Sequence, residues 1–222
     1  MFDSFSDNEY KKIKQILPVY EDALKQLMTN IQLSFSSNEQ FQKNNPVEHV
    51  KTRIKSPENI ANKLIRLDLD VTAENAKKVL TDIAGIRIIC SYAKDIFFLV
   101  DLLKTLPETQ VLIEKDYVSN PKKSGYRCYH VIMEVPVFTS GKKELVPVEV
   151  QLRTAAMDFW ATLEHKVRYK YNEFIPKHLS DELSICAEKI AELDNRMFLI
   201  HDIISLINQD PVTTKNPIAQ LE

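Results

Sequence analysis

The stretch "RIKSPENIANK" (residues 53–63) sets Arg53 and Lys55 in the approach to a helix start and Asn59 and Lys63 one turn apart on its face. A helix N-terminus with added cations suits a triphosphate, because free amides and the helix dipole add to side-chain charge. Charge alone favours the plainer reading of a solvated basic face. In "TDIAGIR" (81–87), Asp82 stands just before an apolar strand and Arg87 inside it. Glu149 alternates with valines in "LVPVEVQLR". Charged groups in such strands reach a cleft, a sheet edge or an ion-pair partner. Asp82 and Glu149 are the best candidates for Mg2+ ligands in phosphate transfer, since Mg2+ takes few protein carboxylates and relies on substrate oxygens for the rest. "SGYRCYHVIMEV" (124–135) raises a different question, opening on rings, an arginine and a histidine and closing as an apolar strand.

Alternation assigns faces to the strands that must position these groups. In "YRCYHVIMEVPVF" it puts Arg127, Tyr129, Val131, Met133 and Val135 on one side and Tyr126, Cys128, His130, Ile132 and Glu134 on the other. In the next strand Val146, Val148, Val150 and Leu152 form the apolar side, opposite Glu149, Gln151 and Arg153. The turn-like "TSGKKE" joins these two strands as a hairpin. Further strands are expected at "IAGIRIICS" and "TQVLIEKDY".

Helices are expected in six places. Apolar residues from Ile13 to Ile31 recur at steps of four and three, with a break or restart at Pro18, and "SFSSNEQFQKNNP" follows as helix end and loop. Ser56 caps a helix with Pro57 at its first position, preceded by the basic segment "KTRIK". A short helix lies near 73–80, and "AKDIFFLVDLLKTL" packs back on its strand. "TAAMDFWATLEHKVRYKY" turns Met157, Trp160, Ala161 and Leu163 inward. After Pro176 a long helix carries Leu179, Leu183, Cys186, Ile190, Leu193, Met197, Ile200, Ile204 and Ile207 in heptad-like spacing, which suits core packing and helix pairing equally. The fold class is α/β, with a mixed sheet flanked by N- and C-terminal helices.

Composition narrows the chemistry. A net charge of -2 over 222 residues disfavours a general nucleic-acid binder, so any anion site is local and RNA binding is not indicated. With three glycines in the chain, neither GxxxxGK[ST] nor GxGxxG fits, and charged side chains must cradle any phosphates. Cys90, Cys128 and Cys186 form no CxxC pair and read as free thiols of a reducing compartment. No apolar run has membrane-spanning length and no signal-peptide pattern opens the chain, so the expectation is a cytoplasmic protein. The "HD" of His201 and Asp202 lies in the heptad helix without a second histidine at helical spacing, and it reads as structural.

Four segments in order, "RIKSPENIANK", "DIAGIRI", "KDYVSNPKKSGYRCYH" and "VEVQLRTAAMDFWATLEH", resemble the RelA/SpoT-type synthetase domain, and in particular the small stand-alone alarmone synthetases. The resemblance implies a nucleotidyltransferase-like fold and transfer of the β,γ-pyrophosphate of ATP to the 3'-hydroxyl of GTP or GDP. It further implies that Arg53 and Arg87 sandwich adenine while Lys55 and Lys63, beside Asn59, hold ATP phosphates. Asp82 and Glu149 would hold Mg2+, with Glu149 assisting removal of the hydroxyl proton. Lys115, Lys122 and Arg127 would meet acceptor phosphates, Tyr126 would stack on guanine, and His130 and Gln151 would line the acceptor site, with Asp158 near the guanine. Strand parity sets Arg127 on the far face unless the strand begins after it.

Asn59 and Cys128 stand where the family often has serine, and Asp158 where some relatives have asparagine. The implied organisation is a helical region at 1–45, the synthetase domain at 46–175, a heptad-patterned helix at 176–208 and a flexible tail at 209–222. A homotetramer lacking the hydrolase and regulatory domains of the long relatives is expected. The alternatives are a relative that modifies an adenine nucleotide or the 3' end of tRNA, and a catalytically silent nucleotide- or RNA-binding module.

Overall fold

In a computed structural model, which describes residues 7–139, 141–171 and 175–209, the chain folds around one five-stranded mixed sheet. The elements run α1 (Asp7–Ser37), α2 (Glu39–Asn44), β1 (Val47–Ile54), α3 (Pro57–Arg66), α4 (Ala73–Val79), β2 (Ala84–Cys90), α5 (Ala93–Lys104), β3 (Gln110–Asp116), β4 (Tyr129–Thr139), β5 (Lys142–Thr154), α6 (Ala155–Lys170) and α7 (Lys177–Gln209). The strand order is β1-β2-β5-β4-β3, with β2 and β5 parallel and the other neighbours antiparallel. Strand β2 is nearly all buried and apolar apart from Arg87, as a strand covered on both faces must be, whereas its parallel partner β5 buries the valine side and sets Glu149, Gln151 and Arg153 on the other. Of the tail expected at 209–222, Gln209 is the last residue of α7 and 210–222 lie outside the described residues.

Several expectations are corrected. Helix α1 runs through Pro18 without a break. Pro18 is exposed, so water can satisfy the carbonyl its missing N–H leaves free, while buried Ile13, Tyr20, Leu24, Leu27 and Ile31 pin the helix on both sides of it. The loop expected after α1 contains the short α2, capped by the Asn38 side chain on Phe41 N–H at 2.9 Å. "KTRIK" belongs largely to an unanticipated strand, β1. That strand is an edge with only Val47, Val50 and Ile54 partly sheltered, and a register irregularity near its start breaks the period-two pattern. On α6, Met157, Trp160 and Ala161 are buried, but Leu163 is 41% exposed. The inward stripe continues at Glu164, one turn from Trp160 and Ala161.

Strand β4 begins at Tyr129, so Tyr126 and Arg127 lie in the loop before it and strand parity does not govern them. The hairpin is present, with Thr139 opposite Lys142. Helix α7 divides its apolar residues: Leu183 and Ile190 pack on a cluster built from Trp160, Ala161 and Ala187, whereas Leu193, Met197, Ile200 and Ile204 face outward. Of the "HD" pair, His201 lies against the Tyr92 ring and Asp202 pairs with Lys94 at 3.7 Å, a structural arrangement. No described helix is long and apolar enough to cross a membrane.

Candidate active site

Local capping builds the cationic side. Ser56 Oγ accepts the Asn59 N–H at 3.3 Å and Pro57 opens α3, while Lys55 N–H donates to Ile83 O at 2.8 Å, tying the entry of α3 to the residue before β2. Lys55, Lys63 and Asp82 therefore converge: Asp82 Oδ2 accepts from Lys55 Nζ at 2.6 Å and from Lys63 Nζ at 2.7 Å. Burial works against the Asp82 carboxylate, yet the two ammonium groups hold its pKa below the usual range. Its other oxygen, Oδ1, is buried and has no hydrogen-bond partner. Asn59, on the same face of α3 as Lys63, is exposed.

Beside this cluster a cleft of about 260 Å³ is lined by Lys51, Thr52, Arg53, Gly85, Ile86, Arg87, Glu149 and Gln151. Gly85 lies opposite Arg53 on β1 and Glu149 on β5. A Cβ at 85 would stand 3.4 Å from Arg53 Nε, in ordinary contact with the side chain that lies over this position. Arg53 and Arg87 both line this slot.

Next to it the ring residues meet Glu149. Glu149 Oε1 is 2.9 Å from His130 Nδ1, and Oε2 accepts from Gln151 Nε2 at 2.7 Å. Burial opposes the Glu149 charge and the Asp82 carboxylate adds repulsion, but His130 and Gln151 hold its pKa below the ordinary value. Burial likewise works against the His130 imidazolium, yet the Cys128 sulfur and the Glu149 carboxylate raise its pKa to about 9. His130 Nε2 is 2.9 Å from the Tyr126 hydroxyl, which also accepts from Arg153 Nη2 at 2.7 Å. Lys115 stands opposite His130 on β3, exposed on the same face. The Lys122 ammonium lies 4.7 Å from the Tyr117 ring centre and 4.9 Å from that of Tyr126.

The structure thus gathers Arg53, Lys55, Lys63, Asp82, Arg87, Glu149, Gln151, Tyr126 and His130 into one connected region, with Lys115 and Lys122 at its rim. Arg127 is not among them. Its Nη1 donates to Val118 O at 3.0 Å, and the residue lines a separate cavity of about 510 Å³ with Phe97, Met157, Trp160 and Asp194. Asp158 is less a wall of the acceptor side than a bridge, since its Oδ1 accepts from Arg87 Nη1 at 3.1 Å and from Arg153 Nη1 at 3.3 Å. Two contributors were missed. Arg153, 5% exposed, braces Tyr126; its shared parity with Glu149 and Gln151 was the available signal. Tyr117 sits edge-on to Tyr126 and His130, and nothing in its sequence surroundings singled it out.

Residues 52–174 match the model described as the region found in RelA / SpoT proteins, which is more than half of the chain. The chain belongs to the RelA/SpoT family. Among the relatives of this RelA/SpoT chain, the GTP pyrophosphokinase YwaC of Bacillus subtilis is 44% identical over 184 residues, covering 83% of this chain and 88% of that one. The GTP pyrophosphokinase YjbM of the same organism is 32% identical, covering 84% and 87%. Small alarmone synthetase 1 of Bacillus subtilis, solved bound to its product pppGpp, superposes with a TM-score of 0.77 at 30% identity over 86% of this chain and 97% of that one. For small alarmone synthetase 2 the values are 0.74, 44%, 85% and 97%. The mixed α/β class expected from the sequence is therefore also that of solved RelA/SpoT relatives.

Proposed function

We propose that this chain transfers the β,γ-pyrophosphate of ATP to the 3'-hydroxyl of GTP or GDP, giving pppGpp or ppGpp and AMP. The observation that carries this reading most is Asp82: a buried carboxylate with two lysines on one oxygen and no partner on the other, beside a slot bordered by two arginines. Among the described residues no group of three His, Cys, Asp or Glu side chains could hold a metal alone, which suits Mg2+ completed by phosphate oxygens. Asp82 and Glu149 would hold it, and it would supply charge neutralisation at the transferred phosphates.

In this mechanism adenine lies between Arg53 and Arg87, whose planar guanidinium groups stack without glycine loops. The ATP phosphates draw Lys55 and Lys63 away from Asp82, exchanging one anion for another, with Asn59 beside them. Tyr126 supports the guanine, Lys115 and Lys122 meet acceptor phosphates, and Gln151 fixes the Glu149 carboxylate. Glu149 takes the 3'-hydroxyl proton as that oxygen bonds to the β-phosphorus. The bond from the β-phosphorus to the α,β-bridging oxygen breaks, and AMP leaves with that oxygen. His130 donates Nδ1–H to Glu149 and holds it ionised.

Incubation with γ-labelled ATP and Mg2+, separately with GTP, GDP, GMP, ATP or tRNA, tests the reading. Labelled guanosine product with GTP or GDP is expected. Label entering only an adenine nucleotide or tRNA would replace the acceptor, and no labelled product would overturn the enzymatic reading.

Synthesis is assigned to residues 46–175 and self-association to the helix at 176–208, with 1–45 as a helical buttress. The outward apolar row on α7 supports a homotetramer, since Leu193 is 58% and Ile204 51% exposed in the single chain. In solution the mass is expected to be four chains, and Leu193→Glu combined with Ile204→Glu is expected to lower it. A one-chain mass for the unmodified protein would refute assembly. Three free cysteines among the described residues support a reducing cytoplasm.

A further inference from the structure

The Tyr126 ring packs on an apolar cluster separate from the main core, formed by Trp160 and Ala161 of α6 and Ala187 of α7, with Leu183 and Ile190 against it. Trp160 Nε1 donates to Leu183 O at 2.9 Å, fastening α6 to α7. The residue before the tyrosine, Gly125, has φ +85°, and a Cβ built on it would stand 2.3 Å from Ala187 Cβ. That compares with ~3.5–4.0 Å for an unstrained carbon pair. Glycine at 125 and alanine at 187 are therefore matched, and the loop touches α7 with no space between them. The loop is also short and closed on itself, with Gly125 N–H donating to Lys122 O at 2.8 Å and Lys122 N–H to Tyr126 O at 3.1 Å. A push on Gly125 is transmitted to the ring within one residue. No residue of α7 lines the slot between Arg53 and Arg87.

From this geometry we infer that Ala187 of α7 is a positioning residue for the acceptor: its small side chain, set against Gly125, fixes where the Tyr126 ring stands and hence how tightly the guanine nucleotide is held. The inference rests on the reading of Tyr126 as the guanine platform. It makes α7 a determinant of acceptor affinity and leaves ATP affinity to β1, β2, β5 and α3 with the Lys55 that precedes it.

The test separates the two substrates. In Ala187→Leu the KM for GDP is expected to rise by at least about tenfold, as misplacing a positioning group does, while the KM for ATP stays unchanged. A second measurement needs no variant. Trp160 is the sole tryptophan and lies in the cluster, so GDP alone is expected to shift its emission and a non-hydrolysable ATP analogue alone is expected to leave it in place. If both KM values rise together or neither changes, the positioning role is wrong. It is equally wrong if the emission ignores GDP in a protein that forms product. An unmodified protein that forms no product with any acceptor would refute the functional reading itself, a result distinct from these.

Discussion

Glu149→Gln is expected to fold normally and lose pyrophosphate transfer by about 10²- to 10⁴-fold, the range that general-base assistance contributes. The substitution keeps the shape of a side chain that is only 12% exposed and leaves an oxygen to accept from Gln151. It removes the charge that faces His130 and the carboxylate, held by Gln151 and His130 together, that can take a proton. The turnover of γ-labelled ATP with saturating GDP measures the loss, and the thermal unfolding midpoint checks the fold. Near-normal turnover in a folded variant would remove Glu149 from the proton transfer. Because His130 and Gln151 hold Glu149 below the ordinary carboxylate range, its carboxylate is ionised throughout neutral pH in the unmodified protein.

Asp82→Asn should abolish the response to Mg2+. The charge on Asp82 binds Lys55 and Lys63 through one oxygen and presents the other, buried and unpartnered. Asparagine preserves volume but supplies neither the charge for a divalent ion nor a full counter-charge for Lys55, whose ammonium is disfavoured by burial and sustained by Asp82. A metal contributes several kcal/mol of transition-state stabilisation, so transfer is expected to fall on the order of 10³-fold. Rates measured against Mg2+ concentration give the decisive comparison. An unchanged midpoint and unchanged maximal rate would show that Asp82 is not a ligand, whatever the effect on stability.

The sequence was most informative where one residue type has one physical explanation. Ser56 and Pro57 announced the start of α3, and the valines around Glu149 announced a central strand with its carboxylate on the polar side. The same parity placed Glu149 and Gln151 together, as their shared hydrogen bond bears out. β1 was illegible because an edge strand buries too little to impose alternation on its residues. Arg127 and Tyr126 could not be placed by counting, since β4 starts only at Tyr129 and a loop has no period. Arg153 belongs to the polar face by strand parity. Its role depends on Tyr126 and Asp158, which lie 27 residues before it and five residues after it and are brought together by the fold. The division of α7 into a packed part and an outward row was likewise set by what α6 presents to it, which heptad spacing does not encode.

The two open edges of the sheet have a consequence of their own. β1 and β3 each carry a register irregularity, between Val47 and His49 on one side and between Val111 and Ile113 on the other. Each also bears charges along its length, Glu48, Lys51 and Arg53 on β1 and Glu114, Lys115 and Asp116 on β3. An edge that is kinked and charged is a poor template for another strand, even with Leu112 and Ile113 uncovered on β3. Copies of this chain are thereby discouraged from joining sheet to sheet into open-ended fibres, which leaves the assembly proposed above to helical surfaces, where it can close.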